Sequence, residues 1–177
     1  MMAVPVLFTA TSYLVLCAVW DVQTRRIPNW LSVGGMLAGL GVNLVWFGLP
    51  GLVVSLAGLL VIGAVLLPPF ALGGIGGGDV KMMAALGSFL GPVAAVKALL
   101  LGVVLGGVVM VAHLLRARRL REKLVATGNL FVAAATARSL RPLALSANGP
   151  DVVALPYSVP LGLGAIAVMI LSSIGVS

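Results

Sequence analysis

The sequence predicts an all-α polytopic membrane protein, a bundle of about six transmembrane segments. Hydrophobic residues make up 61% of the 177-residue chain, and only 8% of its residues are charged. The mean hydropathy of +1.21 is far above that of an ordinary soluble domain. The surplus apolar surface must face lipid, so we expect residues 1–177 to form a single domain embedded in the bilayer.

The order of apolar stretches defines the predicted elements. A membrane helix needs about 20 mostly apolar residues. Residues 80–90 form an apolar stretch that ends at Gly91-Pro92. This stretch is too short to cross the membrane alone, so we expect a short, half-buried helix there. The full-length candidates are residues 2–20, 30–47, 52–72, 93–115 and 155–174, separated by polar or Gly- and Pro-containing connectors.

The basic residues predict how these segments are oriented. With the N-terminus outside, the loops at about 21–29, 73–79 and 116–154 lie in the cytoplasm, where Lys and Arg concentrate. Of the 11 Lys and Arg residues, only Lys97 then falls towards the outer face. The same orientation places Asp21 and Asp79 at one membrane face, although they are far apart in the sequence.

Several functional classes are excluded or disfavoured by composition. The net charge of +7 comes from clusters just outside apolar runs, without the exposed aromatics that single-stranded nucleic acids stack on, so we expect no nucleic-acid partner. The single cysteine, Cys17, cannot form an internal disulfide and is expected to pack as a small hydrophobe. With one His and no Cys cluster, we expect neither a metal nor a cofactor.

The acidic residues are the candidate site. The chain has only 4, and Asp21 and Asp79 lie at the edges of apolar stretches, where an ionisable group is a functional-site hypothesis by default. The glycines before Asp79 allow the backbone to bend, so its carboxylate can sit at a helix N-terminus. Two carboxylates close together can share one proton and activate water. Taken alone, Asp79 could instead cap a helix, and Asp21 could pair with Arg25 on a surface.

Three motifs favour a paired, catalytic role for Asp21 and Asp79 over a helix cap and a surface ion pair. The stretch Asp-x-x-x-Arg-x-Ile-Pro-Asn (residues 21–29), the stretch Gly-x-Gly-Asp-x-Lys (residues 76–81) and a Pro-Tyr-x-x-Pro segment (residues 156–160) occur in this order. Together they resemble the type IV prepilin peptidases, membrane aspartyl proteases of the GxGD class. The resemblance spans nearly the whole chain.

The resemblance implies that Asp21 and Asp79 are the catalytic pair of an aspartyl endopeptidase. Its substrates would be prepilins or pseudopilins, cut between a leader and a hydrophobic stem helix at the cytoplasmic face of the bacterial plasma membrane, for pilus or type II secretion-like assembly. The remaining motif positions, implied to support the pair, are Arg25, Pro28, Asn29, Gly76, Gly78, Lys81, Pro156, Tyr157 and Pro160.

Two details refine this expectation. Larger members of the family carry a cytoplasmic insert with paired CxxC motifs and also N-methylate the new terminus. Because the chain has only Cys17, it resembles the short, peptidase-only members, and we expect no methyltransferase activity.

Lys81 lies two residues after Asp79 and so points to a different side of the helix, towards headgroups or a loop.

Two other functions remain open at this stage. A small proton- or ion-coupled transporter would also use intramembrane carboxylates and broken helices, but would usually show a broken helix in each of two related halves. A non-catalytic assembly scaffold would tolerate substitution of either Asp. The sequence leaves the oligomeric state and the pilin substrate undetermined.

The arginine distribution generates a topology test. Single cysteines introduced at Thr24 and Ser146 should react only with a reagent supplied from the cytoplasmic side, and one at Pro50 only with a reagent supplied from outside. The measurement is side-specific labelling of oriented membranes. Labelling at Ser146 from outside would contradict the six-segment arrangement.

Overall fold

The computed structural model describes residues 4–24, 27–73, 75–116, 118, 125 and 158–173. Within these ranges the regular structure is entirely helical, which confirms the predicted all-α class. The helices are α1 (Val4–Thr24), α2 (Asn29–Ala71), α3 (Gly77–Arg116) and α4 (Ser158–Ser173). By length and composition α1, α2 and α3 could each cross a membrane, and α4 is apolar but shorter.

Each of the two longest helices is broken at a glycine. Gly48 in α2 has φ 64° and ψ −154°, and Gly91 in α3 has φ 74° and ψ 174°, which are not helical conformations. A proline follows shortly after each glycine, at Pro50 and Pro92. The breaks lie where the Gly and Pro residues of the sequence predict them. We call residues 29–47 and 49–71 the first and second arms of α2, and residues 77–90 and 92–116 the first and second arms of α3.

The arms of each broken helix fold back on one another. Ser55 Oγ donates a hydrogen bond of 3.3 Å to the Gly39 carbonyl, across 16 residues of sequence. Those residues would be about 24 Å apart along a straight helix. In α3, Asp79 and Gly106 line one cavity, although they belong to different arms. Both α2 and α3 are therefore helical hairpins.

The first arm of α3 lies at the centre of the bundle. Every residue from 82 to 90 is buried, so this helix is more deeply enclosed than the half-buried helix that the sequence predicts. A Cβ added at Gly58 would lie 2.8 Å from Gly91 Cα and closer still to the Gly87 carbonyl. One added at Gly39 would lie 3.0 Å from the Phe89 backbone nitrogen. Both arms of α2 thus contact the backbone of this short helix directly, as small residues allow in membrane bundles.

The outer helices pack on this centre in different ways. Gly164 of α4 meets α3 backbone to backbone, since a Cβ there would lie 2.7 Å from Gly102 Cα. Near the end of α1, Trp20 packs edge-on against Trp30 of α2, with ring centroids 5.4 Å apart. Within the described residues α1 packs less extensively on its neighbours than α2, α3 and α4 pack on theirs. Cys17 is fully buried in α1, as predicted.

The outward surfaces of the helices are apolar. Large hydrophobic side chains such as Phe8, Val45 and Leu60 are 72%, 80% and 65% exposed. A water-soluble protein would rarely leave so many large apolar side chains in solvent. These faces are suited to lipid, and they support insertion in a membrane.

The contact between Gly58 and Gly87 generates a stability test. Gly58→Ala should lower the free energy of unfolding by about 1–3 kcal/mol, because its methyl group meets backbone that cannot move aside. Gly63→Ala is the matched control in the same arm, since nothing lies within 4 Å of a Cβ at that position. Thermal unfolding of purified protein in detergent measures both. Equal stability of the two variants would contradict the close backbone packing.

Candidate active site

Asp21 lies near the end of α1, where the chain turns into α2. Its side chain is only 7% exposed, although it is charged and one turn from the helix end. Ile27, in the connector that follows, is also buried. Pro28 is the N-cap residue of α2, and its carbonyl accepts hydrogen bonds from the Leu31 and Ser32 backbone nitrogens at 3.1 and 3.2 Å. The turn therefore holds a buried carboxylate close to the start of the next helix.

Asp79 lies in the first turn of α3, as predicted. The Gly76 carbonyl accepts a hydrogen bond of 3.2 Å from the Val80 backbone nitrogen, which begins the helix. The Asp79 side chain bends back over this turn, so that its Oδ2 would lie 3.3 Å from a Cβ added at Gly76. At this position the positive end of the helix dipole stabilises a carboxylate. The side chain is partly buried.

The first two motifs, more than 50 residues apart in sequence, meet in space. Lys81 Nζ donates a hydrogen bond of 2.8 Å to Asn29 Oδ1, which joins α3 to the N-terminus of α2. These contacts bring the ends of α1 and α3 together, and Asp21 and Asp79 lie within electrostatic range of each other. Lys81 thus contacts the connector region, the side to which its spacing from Asp79 directs it.

Gly78 sets how closely the two motifs approach. A Cβ at this position would lie 3.3 Å from Ile27 Cβ and 3.4 Å from the Ile27 backbone nitrogen. The neighbouring Gly77 faces another direction, towards the Phe70 ring at 3.2 Å. A side chain at position 78 would need the connector that follows Asp21 to shift by a few tenths of an ångström. Glycine at this position therefore allows the close approach of the two segments.

A cavity of about 210 Å³ lies beside Asp79. Among the described residues that line it, Asp79 is the only charged one, and the walls are apolar. Val103, on the wall, is 57% exposed, so the cavity lies close to the outer surface of the bundle. The lining residues are Leu66, Ile75, Asp79, Met83, Leu99, Gly102, Val103, Gly106 and Leu161.

The described end of the third motif lies beside the cavity wall. Pro160 lies in the first turn of α4, and its carbonyl would be 3.4 Å from a Cβ added at Gly102. Leu161, the next residue, lines the cavity. Three other predicted positions, Arg25, Pro156 and Tyr157, lie outside the described residues.

Other side chains bear on the site without belonging to any of the three motifs. Asn43, Ser55 and Ser88 are 8%, 0% and 0% exposed. The Asn43 and Ser55 side chains both donate to the Ser88 carbonyl, and Ser88 Oγ bonds to the Met36 and Ala85 carbonyls. An amide within an apolar span is itself a signal, because polar groups at membrane depth are costly. The sequence reasoning did not use it. Over the described part of the chain, no group of three or more His, Cys, Asp or Glu side chains is placed to hold a metal ion.

These features define a class of protein: an all-helical, membrane-inserted protein in which two acidic side chains converge where the first two helices and the N-terminus of the third meet. The model of the type IV leader peptidase family matches residues 8–111, which is more than half of the 177 residues. The chain belongs to this family, and the resemblance found in the sequence is confirmed. No curated protein and no solved structure matches the chain.

The contact between Gly78 and Ile27 generates a cross-linking test. In a Cys17→Ala background, the pair Ile27→Cys and Gly78→Cys should form a disulfide readily, because the two Cβ atoms lie near the distance of about 3.5–4.5 Å that a disulfide needs. Ile27→Cys with Gly77→Cys is the matched control and should oxidise much more slowly, since position 77 faces Phe70. Gel mobility before and after reduction measures the yield. Equal yields from the two pairs would contradict the geometry.

Proposed function

We propose that the chain is an aspartyl endopeptidase that removes leader peptides from prepilins or pseudopilins. The observation that carries the proposal is the meeting of the first two motifs, which brings Asp21 within electrostatic range of Asp79. Membership of the type IV leader peptidase family supports a leader-peptidase activity. The aspartyl mechanism rests on the two carboxylates themselves.

The proposed mechanism uses one proton shared by the two side chains. One carboxylate removes a proton from a water molecule, and the resulting hydroxide attacks the scissile carbonyl carbon. The other, protonated, donates its proton to the carbonyl oxygen. The first then passes the proton it took from water to the leaving nitrogen as the C–N bond breaks, and the second takes back a proton from a hydroxyl of the tetrahedral intermediate as the new carboxyl group forms. Each turnover consumes one water and returns the pair to the singly protonated state.

The cavity supports a substrate with an apolar segment next to the cut. Its walls offer apolar surface beside Asp79, and one lining residue, Val103, is exposed on the outer surface of the bundle. A prepilin carries a hydrophobic stem directly after its polar leader, so the stem could approach from the bilayer while the leader stays in water. Leu161, which directly follows the third motif, lines this cavity.

We propose the membrane arrangement of about six segments with the N-terminus outside. The breaks at Gly48 and Gly91 support it, because each divides one long helix into two arms that fold back. The concentration of Lys and Arg in the loops assigned to the cytoplasm supports the orientation. The carboxylates then act at the cytoplasmic face of the bacterial plasma membrane, in pilus or type II secretion-like assembly.

Substitution of the carboxylates tests the mechanism. Asp21→Asn and Asp79→Asn preserve side-chain size but remove the titrating group, and each should lower the rate of leader removal by about 10²–10⁴-fold or more. The double variant should be no slower than either single one, because residues that act as one catalytic unit are non-additive. The measurement is cleavage of a purified prepilin, and the wild-type rate should fall on both sides of a pH optimum, as a coupled pair predicts.

The matched control for these variants is Asp151→Asn, which belongs to none of the three motifs and should retain activity. Insertion and accumulation of all variants are checked in membranes. A well-folded Asp79→Asn protein that processes its prepilin at near the wild-type rate rules out the proposed role of this site.

A further inference from the structure

A cluster of buried polar side chains lies at the far end of the helix that carries Asp79. Asn43 is in the first arm of α2, Ser55 in the second, and Ser88 near the end of the first arm of α3. All three are buried. No catalytic step uses them, and they lie outside the three motifs.

The Asn43 amide binds the last turn of the first arm of α3. Its Nδ2 donates to the Ser88 carbonyl at 3.0 Å and to the Phe89 carbonyl at 3.1 Å, and also to the Gly39 carbonyl of its own helix at 3.1 Å. Ser55 Oγ donates to the Gly39 carbonyl and to the Ser88 carbonyl. Asn43 and Ser55 therefore hold the end of the short helix between the two arms of α2.

The break at Gly91 explains why these bonds are needed. The last carbonyls of a helix have no partner within it, and Pro92, directly after the break, has no backbone N–H to offer. No water is present inside a bilayer to satisfy such groups, so other protein groups must. The buried amide of Asn43 and the hydroxyl of Ser55 supply the donors. They satisfy the C-terminal end of a helix whose N-terminal turn contains Asp79.

We propose that Asn43, assisted by Ser55, is a positioning residue that fixes Asp79 relative to Asp21; its effect on catalysis rests on the proposed peptidase function. Ser88 lies nine residues after Asp79, which is about 13.5 Å along an α-helix. A short helix that is enclosed from residue 82 to residue 90 transmits a shift or rotation at one end to the other, because packed interiors do not deform continuously. At the Asp79 end, the hydrogen bond between Lys81 and Asn29 is exposed and therefore weak. The buried hydrogen bonds that hold the helix are at its other end, where Asn43 and Ser55 donate to it.

The test combines kinetics with a measurement of geometry. Asn43→Leu keeps the number and branching of the side-chain heavy atoms but removes both donors. Per folded molecule it should lower kcat at least tenfold and change KM less than twofold, because the substrate-facing cavity does not include Asn43. In the same variant, the rate of disulfide formation between cysteines at positions 27 and 78 should fall at least fivefold. A purely structural role would lower the unfolding temperature and leave both rates per folded molecule unchanged.

Two further variants keep the test decisive. Ser55→Ala is a smaller change and should reduce kcat and the cross-linking rate by a lesser factor. If Asn43→Leu does not accumulate as folded protein, Ser55→Ala decides whether the hydrogen bonds position Asp79. Ser172→Ala is the matched control, because Ser172 Oγ donates only to the Val168 carbonyl of its own helix at 2.7 Å, and both rates should remain at the wild-type value.

The outcomes separate this inference from the proposed function. If folded Asn43→Leu keeps the wild-type kcat and the wild-type cross-linking rate, the positioning role is overturned. The same result in Ser55→Ala overturns it where that variant decides. An equal loss of both rates in Ser172→Ala overturns it as well. A wild-type protein that cuts no prepilin leader overturns the peptidase function instead. In that case the cross-linking rate, which needs no substrate, still decides whether Asn43 positions the Asp79 helix.

Discussion

The arrangement depends on backbone contact between one short helix and the two arms that enclose it. At Gly58 and Gly87 the helices meet backbone to backbone, and at Gly39 the small Ser88 side chain fits against the glycine, so the first arm of α3 can enter the centre of the bundle rather than lie on its surface. Its buried position determines where its N-terminal turn emerges. That turn carries Asp79 to the place where α1 ends and α2 begins, beside Asp21.

Burial of this helix creates a difficulty that the polar side chains resolve. Its residues from 82 to 90 are enclosed on all sides, yet its last carbonyls still require hydrogen-bond donors. Asn43 and Ser55 supply them from opposite arms of α2. The helix is thus apolar along its length and polar at both ends, with structural hydrogen bonds at one end and the acidic side chain at the other. In the first arm of α3, one end therefore contributes to stability and the other end carries the candidate catalytic group.

The sequence predicted the parts of this structure that depend on local patterns. Apolar stretches gave the helices, and Gly and Pro gave the breaks at Gly48 and Gly91. The arginine distribution placed Asp21 and Asp79 at one face, and the structure brings them within electrostatic range. The spacing of Lys81 from Asp79 directed its side chain to a loop or headgroups, and it contacts Asn29.

The remaining features depend on which helices touch. Small-residue spacing indicates close packing but does not name the partner, so the contact of Gly58 with Gly87 could not be foreseen. The partners of Asn43 lie 45 and 46 residues away, and no local pattern connects them. The cavity beside Asp79 is formed by residues from α2, α3 and α4, and its shape exists only after they pack.

The unequal packing of the helices has a consequence for how the two carboxylates can move. Asp79 belongs to a body in which α2, α3 and α4 are joined backbone to backbone, through Gly58 and Gly164. Asp21 belongs to α1, which packs on that body more lightly within the described residues. A change in the separation of the carboxylates therefore requires α1 to move relative to that body, which disturbs the contacts of Tyr13 with Gly35 and Phe89. A mismatch between lipid thickness and the length of α1 would act on these contacts as well as on the carboxylates.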